Sequence, residues 1–309
     1  MTGKLLAIVG PTAVGKSALG MRLALDFGGE IVGADSRQIY RGMDIGTAKP
    51  TPEDMRQVPH HLVDITTPDD TYSLARFLQD AKAAIDGCHL RGRLPVLVGG
   101  SGQYVRALLE GWQVPEVPPD TAVRDMLEDR AIREGGDALY GELRERNPER
   151  AARIDPRNVR RVIRALEIEY TSAGERGAGI ERVPPDYDTL TVGITMTRAD
   201  LYRRIDERVG AMIAAGWLDE VRRLVEEGYG AELPAMSSFG YGELVAHIDG
   251  KMPLEDAMRQ IKTKTHRFAR GQHAWFRLTD HRICWFESPV EYDRVRDKVA
   301  AWLANGDAA

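Results

Sequence analysis

The chain is poor in most features that would narrow its class at once. Two cysteines, Cys88 and Cys284, stand far apart in 309 residues. That excludes a disulfide framework and a cysteine-built metal centre, and it fits a reducing compartment. Both read as packing residues. No apolar run approaches the ~18 residues of a membrane span. The first strand candidate starts almost at once, so no secretion signal is expected. These absences point to a soluble cytoplasmic protein with no membrane partner. An excess of positive charge is also missing, since 42 basic residues face 47 acidic ones for a formal net charge of -5. Binding to nucleic acid by overall charge is thereby excluded, while local basic clusters stay open. Internal repeats and low-complexity segments are lacking too. With 43% hydrophobic and 29% charged residues, the composition is that of an ordinary globular protein. The length allows one large or two modest domains.

What is present begins with Gly10-Pro11-Thr12-Ala13-Val14-Gly15-Lys16-Ser17. This is the pattern G-x-x-x-x-G-K-[ST] between an apolar strand candidate, Leu5 to Val9, and a helix-like segment, Ala18 to Leu25. Glycines let the backbone curl so that N–H groups converge on one anion, and the helix N-terminus adds partial positive charge. Lys16 is expected to reach an outer phosphate, and the Ser17 hydroxyl to sit on Mg2+. Alone, the loop reads as an ATP or other nucleotide site.

A second strand, Glu30 to Ala34, ends at Asp35-Ser36-Arg37-Gln38. Polar residues at the carboxyl end of a strand beside such a loop lie over the ligand crevice of an open α/β sheet. Asp35 is thus a candidate metal-shell residue, base or hydrogen-bond acceptor, with a plain turn or helix cap as the alternative. The following glycine-rich stretch to Pro50 has the character of a functional loop. Pro59 to Ile65 reads as a short strand. Its His60 and His61 lack a third ligand at metal spacing, so structural or hydrogen-bonding roles are favoured. Helical periodicity runs from Ser73 to Ile85, ending before Gly87. The apolar strand Leu94 to Val98 then runs into Gly99-Gly100-Ser101, where a hydrolytic P-loop ATPase usually has an acidic metal ligand. Ser101 is a candidate substrate contact or a simple helix cap.

A proline-rich connector follows at Val114 to Asp120, then arginine- and glutamate-rich helices to about Tyr170, and a loose stretch at Ser172 to Asp188. A strand resumes at Leu190 to Met196. The expected fold class is α/β: a P-loop NTPase-like core with a mostly parallel sheet, interrupted by an all-helical insertion domain. The core is expected at 1–114 and 189–309, the insertion at 115–188. Two helices carry arginines one turn apart, Arg160 and Arg164 with Arg161 beside them, and Arg204 with Arg208. Such pairs grip phosphates or form solvated faces with intrahelical acids. Between Lys251 and Arg282, eight Lys/Arg stand against three Asp/Glu, interleaved with aromatics. That suits an RNA-gripping surface or an ordinary amphipathic helix that buries Phe268 and Trp275.

Taken together, these blocks resemble the tRNA dimethylallyltransferases (tRNA isopentenyltransferases). The resemblance lies in Gly10 to Ser17, Asp35 to Pro50, Pro59 to Ile65 and Gly99-Gly100-Ser101-Gly102-x-Tyr104. It continues in Arg160-Arg161-x-x-Arg164-Ala165-Leu166-Glu167 and in Thr265-x-x-x-Ala269-Arg270-x-Gln272-x-x-Trp275-x-Arg277. It covers nearly the whole chain, and the block from Asp35 to Pro50 is its most specific part. It implies transfer of a dimethylallyl group from dimethylallyl diphosphate to N6 of adenosine 37, in tRNAs that read codons beginning with U. Gly10, Pro11, Thr12, Ala13, Val14, Gly15, Lys16 and Ser17 would hold the diphosphate, with Asp35, Ser101 and Arg208 catalytic. The tRNA anticodon stem-loop would meet Asp35, Ser36, Arg37, Gln38, Ser101, Arg124, and Arg160, Arg161, Val162, Ile163 and Arg164. The resemblance adds Ser237, Ser238, Phe239, Gly240, Tyr241, Arg270, Gln272, Trp275 and Arg277 to that surface. Ser101 stands where the family usually has threonine. Gln103, Gly242 and Gly271 also depart from its pattern. A monomer is expected. A small-molecule kinase and a nucleotide-switched RNA-binding module are the alternatives.

Overall fold

A computed structural model describes residues 3–114, 120–171, 181–236 and 238–305. In chain order the elements begin β1 (Gly3–Val9), α1 (Lys16–Asp26), β2 (Gly29–Gly33), α2 (Pro52–Gln57) and β3 (His60–His61). Next come α3 (Leu74–Leu90), β4 (Leu94–Val98), α4 (Gly102–Leu109) and β5 (Trp112–Gln113). The helices α5 (Thr121–Glu134), α6 (Gly136–Arg146), α7 (Pro148–Ala151) and α8 (Val159–Thr171) follow, then β6 (Glu181–Arg182) and β7 (Tyr187–Thr195). The chain closes with α9 (Arg198–Ala214), α10 (Trp217–Glu226), α11 (Tyr241–Ile248), α12 (Leu254–Trp275), β8 (Ile283–Glu287) and α13 (Tyr292–Ala304).

Contacts divide the chain into two units. One comprises 3–111 with 184–305, the other 112–183. The first is built on a six-stranded sheet ordered β3-β2-β4-β1-β7-β8. Every neighbouring pair is parallel. β2 and β4 are buried along their whole length, as expected of parallel strands covered on both faces. Leu6, Ile8, Val96, Val98, Val192 and Ile194 from the sheet meet Leu19 and Leu23 of α1 and Ile205 of α9 in one core. The parallel order places the carboxyl ends of β1, β2 and β4 side by side, and the loops that leave them carry the site.

The second unit packs α5, α6, α7 and α8 around Leu127, Leu139, Leu143, Val162 and Leu166. The sequence reading ended this unit at residue 188. However, Tyr187 and Asp188 already pair with Gly3 and Lys4 in the main sheet, so the return lies earlier. The connector at 115–119 and the loose stretch at 172–180 lie outside the described residues.

Two elements differ from expectation. α3 runs through Gly87 to Leu90, because Cys88 remains on its buried face and the helix needs that turn to reach it. The strand expected over Pro59–Ile65 shrinks to His60–His61, since Leu62 and Asp64 take left-handed backbone at φ 62 and 54 that no strand continues.

Candidate active site

A cleft of about 550 Å3 opens at the carboxyl edge of the sheet. Thr12, Ala13, Gly15, Lys16 and Ser17 line it, with Asp35 and Gln38 after β2, Gly99 and Gly100 after β4, and Arg204 and Arg208 from α9. Its charged lining comprises Lys16, Lys49, Arg204 and Arg208 against Asp35 and Asp54, four cations to two carboxylates. Lys49 is met by Asp44 and Asp64 outside the lining, so Lys16, Arg204 and Arg208 are the cations left to favour an anion.

Between β1 and α1 the chain makes a tight loop. Gly15 takes φ 105, backbone that a side chain resists, and the helix begins one residue later at Lys16. The Lys16 ammonium donates to the Pro11 carbonyl at 2.7 Å. Burial pushes its pKa down to about 8, opposed by the charge of Asp35 and reinforced by that of Arg208. The Arg208 pKa is also lowered by burial, with Asp35 opposing and Arg204 adding. Three groups far apart in sequence thus share one electrostatic environment.

Asp35 takes the turn role and also stands at the cleft. Its Oδ1 accepts the Arg37 N–H at 2.9 Å as a turn would require, and the residue still lines the cleft. Ser101 stands at the N-cap position of α4 without capping it. Instead its hydroxyl accepts the Ser36 N–H at 3.1 Å and donates to the Ser36 hydroxyl at 3.3 Å, joining the turns after β2 and β4. Gln38 donates its side-chain amide to the carbonyls of Thr47 and Ala48 at 3.1 and 3.0 Å, folding the following loop back on itself. The Arg37 guanidinium donates to the Pro234 carbonyl at 3.1 Å.

Other expected positions fall elsewhere. Gln272, assigned to RNA contact, is buried; its Oε1 accepts the Thr12 N–H and its Nε2 donates to the Gly100 carbonyl, both at 2.7 Å. The Thr12 amide is therefore engaged within the protein, and the set of loop amides expected to face an anion loses its first member. Tyr241 is buried and donates to Glu220 Oε1 at 2.6 Å. Ser238 is buried with its hydroxyl on the Ala235 carbonyl. Gly240 lies under the Trp217 ring. Ser237 lies outside the described residues. By contrast Phe239, Phe268 and Trp275 are partly exposed, the two phenylalanines with ring centroids 5.2 Å apart. Arg270 and Arg277 are exposed, Arg270 donating to the Tyr202 hydroxyl at 2.9 Å.

In the helical unit the side chains of Val162 and Ile163 belong to the core and cannot face RNA. Arg124 and Arg164 both pair with buried Glu167, at 3.0 and 2.9 Å. Arg160 and Arg161 stay exposed on α8.

Sequence reasoning missed the residue that shapes the loop between Asp35 and Pro50. Buried Glu220 accepts the N–H groups of Asp44, Ile45 and Gly46 at 3.0, 2.7 and 3.3 Å. Its signal was an acid within the apolar stripe Trp217-Val221-Leu224 of α10, a position that demands hydrogen-bond partners. Lys49, almost wholly buried, bridges Asp44 at 2.6 Å and Asp64 while donating to the Tyr40 carbonyl at 2.7 Å. His61 meets Glu30 at 2.7 Å, and Cys88 lies 3.5 Å from the same carboxylate. These three offer metal-ligand atoms within 4.8 Å of one another. Arg91 nevertheless grips Glu30 with two bonds, at 2.6 and 3.1 Å, and holds its pKa down to about 2, so the charge is met internally. Burial pushes the Cys88 thiol up to about 11, consistent with an inert packing residue.

Fold and cleft together define an α/β protein with a tight G-x-x-x-x-G-K-[ST] loop between first strand and first helix, opening on a cleft lined by Lys16, Arg204 and Arg208. Comparison with known proteins makes the class specific. The family model for IPP transferase matches residues 38–279, and that for isopentenyl transferase matches 3–67. A tRNA dimethylallyltransferase of Thermomicrobium roseum is 52% identical over 297 residues, covering 95% of this chain and 90% of that protein. One from Dehalococcoides mccartyi is 45% identical over 303 residues, covering 98% and 93%. The crystal structure of a tRNA isopentenylpyrophosphate transferase from Bacillus halodurans superposes with TM-score 0.71 at 39% identity, covering 98% of this chain and 96% of that one. A eukaryotic dimethylallyltransferase solved acting on tRNA gives TM-score 0.80 at 26% identity, covering 98% and 80%. The chain belongs to the tRNA dimethylallyltransferase family.

Proposed function

We propose that the protein transfers a dimethylallyl group from dimethylallyl diphosphate to N6 of adenosine 37, in tRNAs that read codons beginning with U, and releases pyrophosphate. The observation that carries this reading is the convergence of Lys16, Arg208 and Asp35 on one cleft of a family member. In the reaction N6 attacks the allylic carbon, the carbon–oxygen bond breaks, and pyrophosphate departs with the electron pair. Negative charge grows on the leaving group, so fixed donors there are worth more in the transition state than before it. Lys16 and Arg208, both partly buried, supply two of them, and the amides of the loop from Ala13 to Ser17 supply others. The attacking amine must lose a proton, and Asp35 is the carboxylate beside these cations that can take it.

The Ser17 hydroxyl lines the same cleft and is an oxygen ligand of the kind Mg2+ takes beside phosphate oxygens. Bound there, the ion would add charge stabilisation for the leaving pyrophosphate. Gly99, Gly100 and Ser101 stand directly after β4, with no acid at that strand end. That supports prenyl rather than γ-phosphoryl transfer. For the RNA, exposed Phe239, Phe268 and Trp275 provide stacking faces for unpaired bases, and Arg270 and Arg277 provide phosphate donors. The target base must leave the anticodon-loop stack to reach the cleft. Among the described residues no helix is long and apolar enough to cross a membrane. A cytoplasmic monomer is part of the proposal. The test is incubation of the purified protein with Mg2+, dimethylallyl diphosphate and unmodified tRNA, followed by nucleoside mass analysis. Appearance of N6-dimethylallyladenosine is expected; unmodified adenosine with ATP consumed on a small acceptor would overturn the reading.

A further inference from the structure

Gln272 lies in the segment whose resemblance implies RNA contact, yet only 4% of it reaches solvent. A buried primary amide needs partners for both its ends. Here the Oε1 end takes the Thr12 N–H of the phosphate-binding loop and the Nε2 end holds the Gly100 carbonyl of the turn after β4, both at 2.7 Å. One side chain thus spans two of the loops that wall the cleft. Two further contacts tie the same end of α12 to that turn. A Cβ on Gly102 would lie 2.1 Å from the Trp275 ring, so ring and backbone are in close contact. The Trp275 carbonyl accepts two bonds from Arg106, at 3.1 and 2.8 Å. Arg106 is itself held by Asp280 at 2.8 Å. The bond at Gly100 also borders Lys16, because a Cβ there would stand 2.4 Å from Gln272 Nε2 and 3.4 Å from Lys16 Nζ.

We propose that Gln272 is a positioning residue of the anion cradle rather than an RNA-reading residue: it fixes the Thr12 amide and the Gly100 carbonyl at one separation and thereby sets how the loop and Lys16 meet a diphosphate. The inference rests on the proposed function only in naming that anion as the donor's diphosphate. An apolar residue of similar length leaves a buried donor and a buried acceptor without partners, and relaxation of the loop to satisfy them opens the cradle. A loss of about tenfold to a hundredfold in diphosphate affinity follows from leaving such groups unpaired.

The test compares the wild-type protein with Gln272→Met, using inorganic pyrophosphate with Mg2+ in calorimetry, an anticodon stem-loop RNA in anisotropy, and amide hydrogen exchange of residues 10–17. The dissociation constant for pyrophosphate is expected to rise about tenfold or more. RNA affinity is expected to stay within about twofold, because the Gln272 side chain does not face the RNA-binding surface. Loop amides are expected to exchange faster while the sheet amides keep their protection. Where turnover is measurable, the KM for the donor rises and that for RNA does not. Weakened RNA binding with unchanged pyrophosphate binding would overturn the inference, as would unchanged binding of both. Should Gln272→Met fail to fold, Gly100→Ala displaces the same amide with Gln272 in place, and unchanged pyrophosphate affinity there is equally fatal. A wild-type protein that makes no N6-dimethylallyladenosine would overturn the proposed function while leaving the pyrophosphate comparison intact.

Discussion

The arginines inside the helical unit and the cations at the cleft of the sheet unit are compensated in different ways. In the helical unit Arg124 and Arg164 close on buried Glu167, Arg130 and Arg146 on Glu142, and Arg150 on Glu169. Each of these five cations has an acid at hand, and the pairs tie α5, α6, α7 and α8 around their core. In the sheet unit Lys16 and Arg208 line one cleft with Asp35, and burial lowers the proton affinity of both against the opposing charge of Asp35. Leaving cations short of acids is costly for folding. The arrangement makes sense where an anionic ligand completes the balance. Paired arginines in one unit and under-compensated cations in the other separate architecture from binding site.

The largest effect that would test this contrast is at the carboxylate among the cleft cations. Asp35→Ala is expected to lower turnover by about 10²–10⁴ while anticodon stem-loop affinity stays near wild type, checked by single-turnover kinetics and anisotropy. Normal turnover would remove the acid from the mechanism. Next comes Arg208→Ala, expected to raise the KM for the isoprenoid diphosphate by roughly tenfold to a hundredfold, as loss of a charged hydrogen-bond donor would. On the other side of the contrast, Glu167→Ala takes a buried acceptor from two arginines and from the Asp120 N–H. It is expected to destabilise the helical unit by about 1–3 kcal/mol in thermal or denaturant unfolding, with the donor KM unchanged. A large rise in donor KM would break the division between the units.

The smallest effect concerns pH. The Lys16 pKa stands near 8 in the free protein, below its ordinary 10.5, so its ammonium is lost as pH rises through about 8. Pyrophosphate affinity is expected to fall by several-fold between pH 7 and 9, and Lys16→Arg, charged throughout that range, is expected to flatten the profile. The sign for folding is opposite. Between about 8 and 10.5 the unfolded chain binds more protons at this residue, so this group favours the folded state more as pH rises.

Much of the site was legible because its chemistry is local. Gly10 to Ser17 carries its own loop geometry in spacing alone, and the strand, loop and helix around it follow from an apolar run and a helix start. The strands β2, β4 and β7 could be read from apolar runs, each within a few residues of its observed limits. β8 and α13 were not read; β8 is as long as β2 and β4 but is only partly buried at the edge of the sheet. Long-range polar partnerships were the main omission. Glu220 serves the loop at Asp44 to Gly46 from 174 to 176 positions away, and Gln272 reaches Thr12 across 260. Periodicity reports which face of a helix is buried. It carries no record of which backbone amide a buried polar side chain will meet.

The sequence by itself determined the α/β pattern, the glycine loop between β1 and α1 and the family to which the chain belongs, because each is written in short-range spacing and residue type. Only the tertiary structure decided which charged groups are partners and which converge on the cleft. Strand order brings the ends of β1, β2 and β4 together, and α9 adds Arg208 to them. Burial then decides what each side chain can do there: it turns Gln272 inward to the loop, leaves Trp275 partly in solvent, and lowers the pKa of the partly buried Lys16 and Arg208.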